Sequence, residues 1–79
     1  YDVVVAIDVI EHIHPDEFDA TMEAVAKAIK PRGMLFAHVN FNQVDPELYP
    51  MHFDHGKRFD AWLNHNCMDQ IGDMQWLKA

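Results

Sequence analysis

The order of patterns from Tyr1 to Asn40 limits this chain more than any other feature, because it is a strand, a helix and a second strand in unbroken succession. Tyr1 to Ile7 reads as the first strand: Val3, Val4 and Val5 are β-branched, and the run is continuously apolar instead of alternating. Continuous apolarity predicts a parallel strand covered on both faces. Asp8 to Ile13 reads as a turn or a short helical segment, and Pro15 suits a first helical position, where no amide donor is needed. Phe18, Met22, Val25 and Ile29 then recur at spacings of four, three and four, which puts them on one helical face. Asp19, Glu23 and Lys27 fall on another face at i, i+4 spacing. Pro31 stops the helix, and Gly33 is expected to supply a flexible turn into the second strand, Met34 to Phe41, with Leu35, Phe36 and Val39 as its apolar body. Such a crossover is right-handed.

The rest of the chain is less patterned. Asn40-Phe41-Asn42 turns polar where a parallel strand meets a ligand crevice. Asn42 to Gly56 is a long connection that holds Pro46, Pro50, His52, Asp54 and His55, and loops of that length tend to carry function. A second helix is expected over Arg58 to Met68, with Phe59, Trp62 and Leu63 inward, and a third, short strand over Met74 to Lys78. At 79 residues the chain buries only a modest core. Its apolar content is ordinary for a folded protein. The longest apolar run, Val3 to Ile7, is far too short for a helical membrane span, and no signal-peptide pattern opens the chain. Cys67 is the single cysteine, which rules out an internal disulfide or a cysteine zinc cluster and fits a reducing cytoplasm. A net charge of −7 argues against a nucleic-acid or anionic-membrane surface.

Titratable residues gather after the first strand, in Asp8-Val9-Ile10-Glu11-His12. On one helical turn, positions i, i+3 and i+4 share a face, so Asp8, Glu11 and His12 can converge on a hard divalent cation such as Mg²⁺ or Mn²⁺. Alternatively, Glu11 and His12 cap and hydrogen-bond the turn. His14, beside Pro15, reads as a helix-entry residue, His38 as a core or crevice group, and His65 as a helix-surface group. His52-Phe53-Asp54-His55 has a loose metal-like look that a polar loop explains equally well. Phe59, Trp62 and Trp76 read as core.

Together the strand ending in DVIEH, the amphipathic helix, Lys30-Pro31-Arg32-Gly33 and the second strand resemble the fourth strand, following helix and fifth strand of S-adenosylmethionine-dependent methyltransferases with the Rossmann-like fold. The resemblance implies a sheet ordered 3-2-1-4-5-7-6, of which this chain carries strands 4 and 5 and one strand of the terminal antiparallel pair. Residues 1–79 are then the C-terminal part of one α/β domain whose N-terminal half is missing. Gly33, Gly56 and Gly72 are too scattered to form the glycine-rich cofactor turn. The first strand would be an open edge. By the same resemblance Ile7 and Asp8 lie near the cofactor and His12 is the catalytic base near the transferred methyl group. The alternative set Asp8, Glu11 and His12 is similar to the E-x-x-E-H metal motif of certain O-methyltransferases, with His52 or His55 as a further ligand. Lys30-Pro31-Arg32-Gly33 corresponds to a K-P-G-G turn, with Arg32 in place of a glycine, tolerable if that residue does not need positive φ. The expected function is part of a methyltransferase acting on a small molecule or another acceptor, with this fragment inactive alone. Its expected partner is the missing half or a second chain. The competing expectation is a non-catalytic, methyltransferase-like binding module.

Overall fold

In a computed structural model, residues 1–41, 45 and 47–79 are described. Asn42 and Pro46, named above at the crevice end and in the connection, lie outside them. The elements are β1 (Val3–Ile7), a 3₁₀ turn (Ile10–His12), α1 (Phe18–Ala28), β2 (Met34–His38), α2 (Gly56–His65), β3 (Met68–Gly72) and β4 (Gln75–Lys78). They form a small α/β fold with one mixed four-stranded sheet ordered β1-β2-β4-β3. β1 and β2 are parallel, with Val3 opposite Met34 and Ile7 opposite His38. β4 runs antiparallel to both β2 and β3.

Alternation along the strands divides the sheet into two unlike faces. Leu35, Ala37 and Trp76 are buried on one face, under Phe18, Met22 and Ile29 from α1 and its end and under Phe59 and Trp62 from α2. The indole Nε1 of Trp62 donates to the Met22 carbonyl over 2.8 Å, which ties α2 to α1 inside the core. On the other face Val3, Val5, Ile7 and Leu77 remain exposed. The expectation that β1 is covered on both faces is therefore corrected: its burial alternates, because both helices lie on the same side. β1 is nonetheless the edge strand, with β2 as its one neighbour among the described residues.

Several boundaries shift for local reasons. α1 starts at Phe18, not Pro15, because residues 14–17 close a tight turn in which the Glu17 amide donates to the His14 carbonyl and the Asp16 amide to His14 Nδ1. β2 ends at His38, opposite the end of β1 at Ile7, and among the described residues no strand pairs with it beyond the bond from the Ala37 amide to the Met74 carbonyl. α2 ends at His65, and Cys67 turns the chain with φ of 54°. Residues 68–72 then form β3, a second terminal strand where the sequence suggested only one. Its Asp69 and Gln70 are exposed and Met68 is its one fully buried side chain, so it carries little apolar signal.

The Lys30-Pro31-Arg32-Gly33 turn also differs from expectation. Arg32, not Gly33, takes the left-handed conformation, with φ of 66°. Gly33 is needed for space: a Cβ there would sit 2.7 Å from the Lys30 carbonyl oxygen and 2.9 Å from Ile29 Cγ2. The turn is stitched to the end of the neighbouring strand β4 by bonds from the Arg32 amide to the Lys78 carbonyl (2.8 Å) and from the Lys78 amide to the Gly33 carbonyl (2.9 Å). Lys78 Nζ also donates to the carbonyls of Ala26 (2.8 Å) and Ile29 (2.9 Å), satisfying acceptors that the end of α1 leaves open.

Candidate functional site

The carboxyl ends of β1 and β2 lie side by side, and the titratable residues singled out from the sequence collect there. Asp8 follows Ile7 directly and adopts φ of 54°, a conformation that costs an L-residue with a Cβ about 1–2 kcal/mol. Its amide donates to the His38 carbonyl over 2.9 Å, extending the parallel ladder by one bond. Its carboxylate oxygen Oδ1 meets Nδ1 of His38. Both side chains are about half exposed, so the pair stands at the rim of the sheet and not inside it.

Glu11 behaves differently. It is 1% exposed, and its Oε1 has no hydrogen-bond partner among the described residues. A buried polar oxygen without a donor is costly and rare in folded proteins. Its backbone carbonyl accepts the Phe53 amide over 2.7 Å, which brings the long connection down onto the 3₁₀ turn. His12 is exposed, and its ring edge meets His52 with centroids 4.4 Å apart, while His52 stacks on Tyr49 at 5.1 Å. Thus His12 points into the connection while Asp8 is taken by His38. Among the described residues no three His, Cys, Asp or Glu side chains are close enough to hold a metal ion. The convergence of Asp8, Glu11 and His12 expected from helical spacing does not occur, because only residues 10–12 are helical and Asp8 lies before the turn in a left-handed conformation.

Of the histidines offered as further ligands, His55 is buried, and its Nε2 is bonded to the Ile13 carbonyl at 2.6 Å. Its ring lies against Phe18, Phe41 and Phe53, which makes it an anchor for the start of α2. His14 is the helix-entry residue that the sequence suggested, and His65 is an exposed residue in the last turn of α2.

The pairing of Asp8 with His38 was not anticipated. Its signal was present in the sequence, since both apolar strands finish at a titratable residue and parallel strands in register bring their ends together. A separate groove of about 570 Å³ runs between α1 and α2, lined by Met22, Trp62 and Arg58 among others. Arg58 is paired there with Asp19 at 2.9 Å and Lys27 with Glu23 at 3.0 Å, and none of Asp8, Glu11, His12 or His38 lines it. No helix among the described residues is long and apolar enough to cross a membrane. Neither a family model, nor a curated protein, nor a solved structure matches the chain.

Proposed function

We propose that this chain is the C-terminal part of a Rossmann-like S-adenosylmethionine-dependent methyltransferase domain that acts on a small-molecule acceptor. The observation that carries this reading is the sheet order β1-β2-β4-β3, with a parallel first pair and the last strand inserted antiparallel between β2 and β3. It corresponds strand for strand to the 4-5-7-6 half of the order 3-2-1-4-5-7-6. An apolar face of Val3, Val5 and Ile7 beside an unpaired edge suits a sheet that continues into further strands and helices.

The residues at the strand ends fit one wall of a site for a sulfonium cofactor. Ile7 offers exposed apolar surface, and Asp8 and the orphaned Glu11 carboxylate bring negative charge toward a cation. When bound, the cofactor supplies an electrophilic methyl carbon. The chain's own residues orient the acceptor, exclude water and take up a proton, with His12 on the acceptor side of the crevice. A glycine-rich turn to cradle the remainder of the cofactor is not among these 79 residues.

Isothermal titration with S-adenosylmethionine tests the reading. Residues 1–79 alone are expected to bind more weakly than about 100 μM, which corresponds to about 5 kcal/mol. A longer chain that also carries a strand and glycine-rich turn before Tyr1 is expected to bind tightly. Absence of such a segment from the gene, with no binding by any longer product, overturns it. That result would favour the second reading, a partner-binding module, which draws on the same exposed apolar face.

A further inference from the structure

We propose that Asp8 and His38 form a carboxylate–imidazole dyad whose outward nitrogen, Nε2 of His38, accepts the proton of a hydroxyl-bearing acceptor bound at the carboxyl ends of β1 and β2. Three observations combine. Asp8 Oδ1 meets His38 Nδ1, so one ring nitrogen is occupied by a carboxylate. His38 Nε2 has no hydrogen-bond partner among the described residues, and the side chain is 47% exposed, so the other nitrogen is open to a ligand. The backbone is bent to make the pair: Asp8 holds φ of 54°, anchored by the bond from its amide to the His38 carbonyl. Strain at a residue that also orients a titratable partner is a mark of a functional site. His12 lacks this arrangement, since its ring rests edge-on against His52 and has no carboxylate partner among the described residues.

A carboxylate on Nδ1–H fixes the tautomer that leaves the lone pair on Nε2, the form a proton acceptor needs. Alternation places the exposed Ile7, opposite His38 in the register, on the face that carries His38, where it offers apolar contact to the acceptor's carbon frame. A hydroxyl is the acceptor group that most needs this help, because its oxygen attacks weakly until the proton leaves. The inference rests on the methyl-transfer reading for the bond that is made. The proton passes from the acceptor oxygen to His38 Nε2, and an oxygen electron pair forms the new bond to the methyl carbon. The carbon–sulfur bond breaks with its pair retained on sulfur, which becomes a neutral thioether. The resulting imidazolium faces the Asp8 carboxylate, which offsets its charge.

Long-range ¹H–¹⁵N spectra of the chain labelled at histidine provide the test, with phenol as hydroxyl probe and anisole, its O-methylated counterpart, as control. Neutral His38 is expected as the Nδ1–H tautomer, and Asp8→Asn is expected to return it to the Nε2–H form that free histidine favours. Phenol should shift the His38 Nε2 resonance at millimolar concentration, and anisole should leave it in place. An Nε2–H tautomer in the unsubstituted chain, or equal responses to phenol and anisole, would overturn the dyad. In a longer chain that binds S-adenosylmethionine, His38→Gln should lower turnover by roughly 10²–10⁴-fold with the cofactor affinity unchanged, and an unchanged turnover would overturn the assignment. Failure of any longer chain to bind S-adenosylmethionine counts against the methyl-transfer reading and not against the tautomer and phenol results, so the two failures are distinguishable.

Discussion

Adjacent substitutions in the turn between α1 and β2 are expected to act with opposite signs. Arg32→Gly relieves a left-handed backbone that costs a residue with a Cβ about 1–2 kcal/mol. Against this, glycine gives back about 0.5–1 kcal/mol through the greater freedom of the unfolded chain. The Arg32 amide keeps its bond to the Lys78 carbonyl, so the net change is a gain of about 0.5–1 kcal/mol. Gly33→Ala has no such compensation. Its Cβ would sit 2.7 Å from the Lys30 carbonyl oxygen, 2.9 Å from Ile29 Cγ2 and 3.2 Å from the Asp2 carbonyl oxygen, all tighter than ordinary contact. None of these neighbours moves freely: the Lys30 oxygen accepts the Gly33 amide, the Asp2 oxygen accepts the Met34 amide, and Ile29 is 1% exposed. Overpacking of this kind costs about 1–3 kcal/mol, and the contact with backbone argues for the upper half of that range. Urea unfolding followed by the fluorescence of the buried Trp62 and Trp76 reads both effects as midpoint shifts at constant slope. At this chain length 1 kcal/mol corresponds to about 4–8 °C in Tm. A destabilising Arg32→Gly together with a neutral Gly33→Ala would refute the reasoning, since it would mean that position 32 is not left-handed and that position 33 has room for a Cβ.

Other substitutions probe the strand ends and the stitching of the sheet. Glu11→Gln should raise stability by about 1 kcal/mol in a urea melt, because it replaces a buried carboxylate oxygen that has no donor with a neutral amide. The same change should weaken cofactor binding by a longer chain, and a loss of stability would show that the oxygen has a partner in solution. Lys78→Met should cost about 1.5–3 kcal/mol by removing two charge-assisted bonds to the Ala26 and Ile29 carbonyls, again read as a midpoint shift. Chelation should leave methyl transfer by a longer, cofactor-binding chain unchanged, because Asp8 is bound to His38 and does not meet Glu11 and His12 among the described residues. Complete loss on chelation, restored by Mg²⁺ or Mn²⁺, would show that these residues rearrange around an ion.

The first half of the chain was legible because its elements follow from local rules. Valines in succession make a strand, and Phe18, Met22 and Ile29 at helical spacing are each 1% exposed. Pro31 marks the stop to within three residues. What was misread depended on partners distant in sequence. β3 was invisible because an outer strand with one buried side chain has almost no pattern, and its pairing with β4 supplies what the residues do not. The burial of β1 was misjudged because continuous apolarity does not say whether a second layer is present. At the site, Ile7, Asp8 and His12 do lie at the carboxyl end of β1, but helical spacing suggested a cluster where a single left-handed residue turns Asp8 toward β2. The sequence offers His38 as a core or crevice group without its partner, because only the register between two strands gives it a carboxylate.

The position of β4 between β2 and β3 governs when this protein can fold during synthesis. β2 is complete at His38, yet its second neighbour begins at Gln75. At elongation rates of about 5–20 residues per second, that gap keeps one edge of β2 unpaired for about 2–7 seconds on the ribosome. Closing the pair must also overcome the entropy of a long intervening loop, which slows folding relative to local helix formation. During those seconds the nascent chain presents the free edge of β2 that β4 later covers. Chaperone occupancy should therefore peak before residue 75 emerges and fall once β4 inserts.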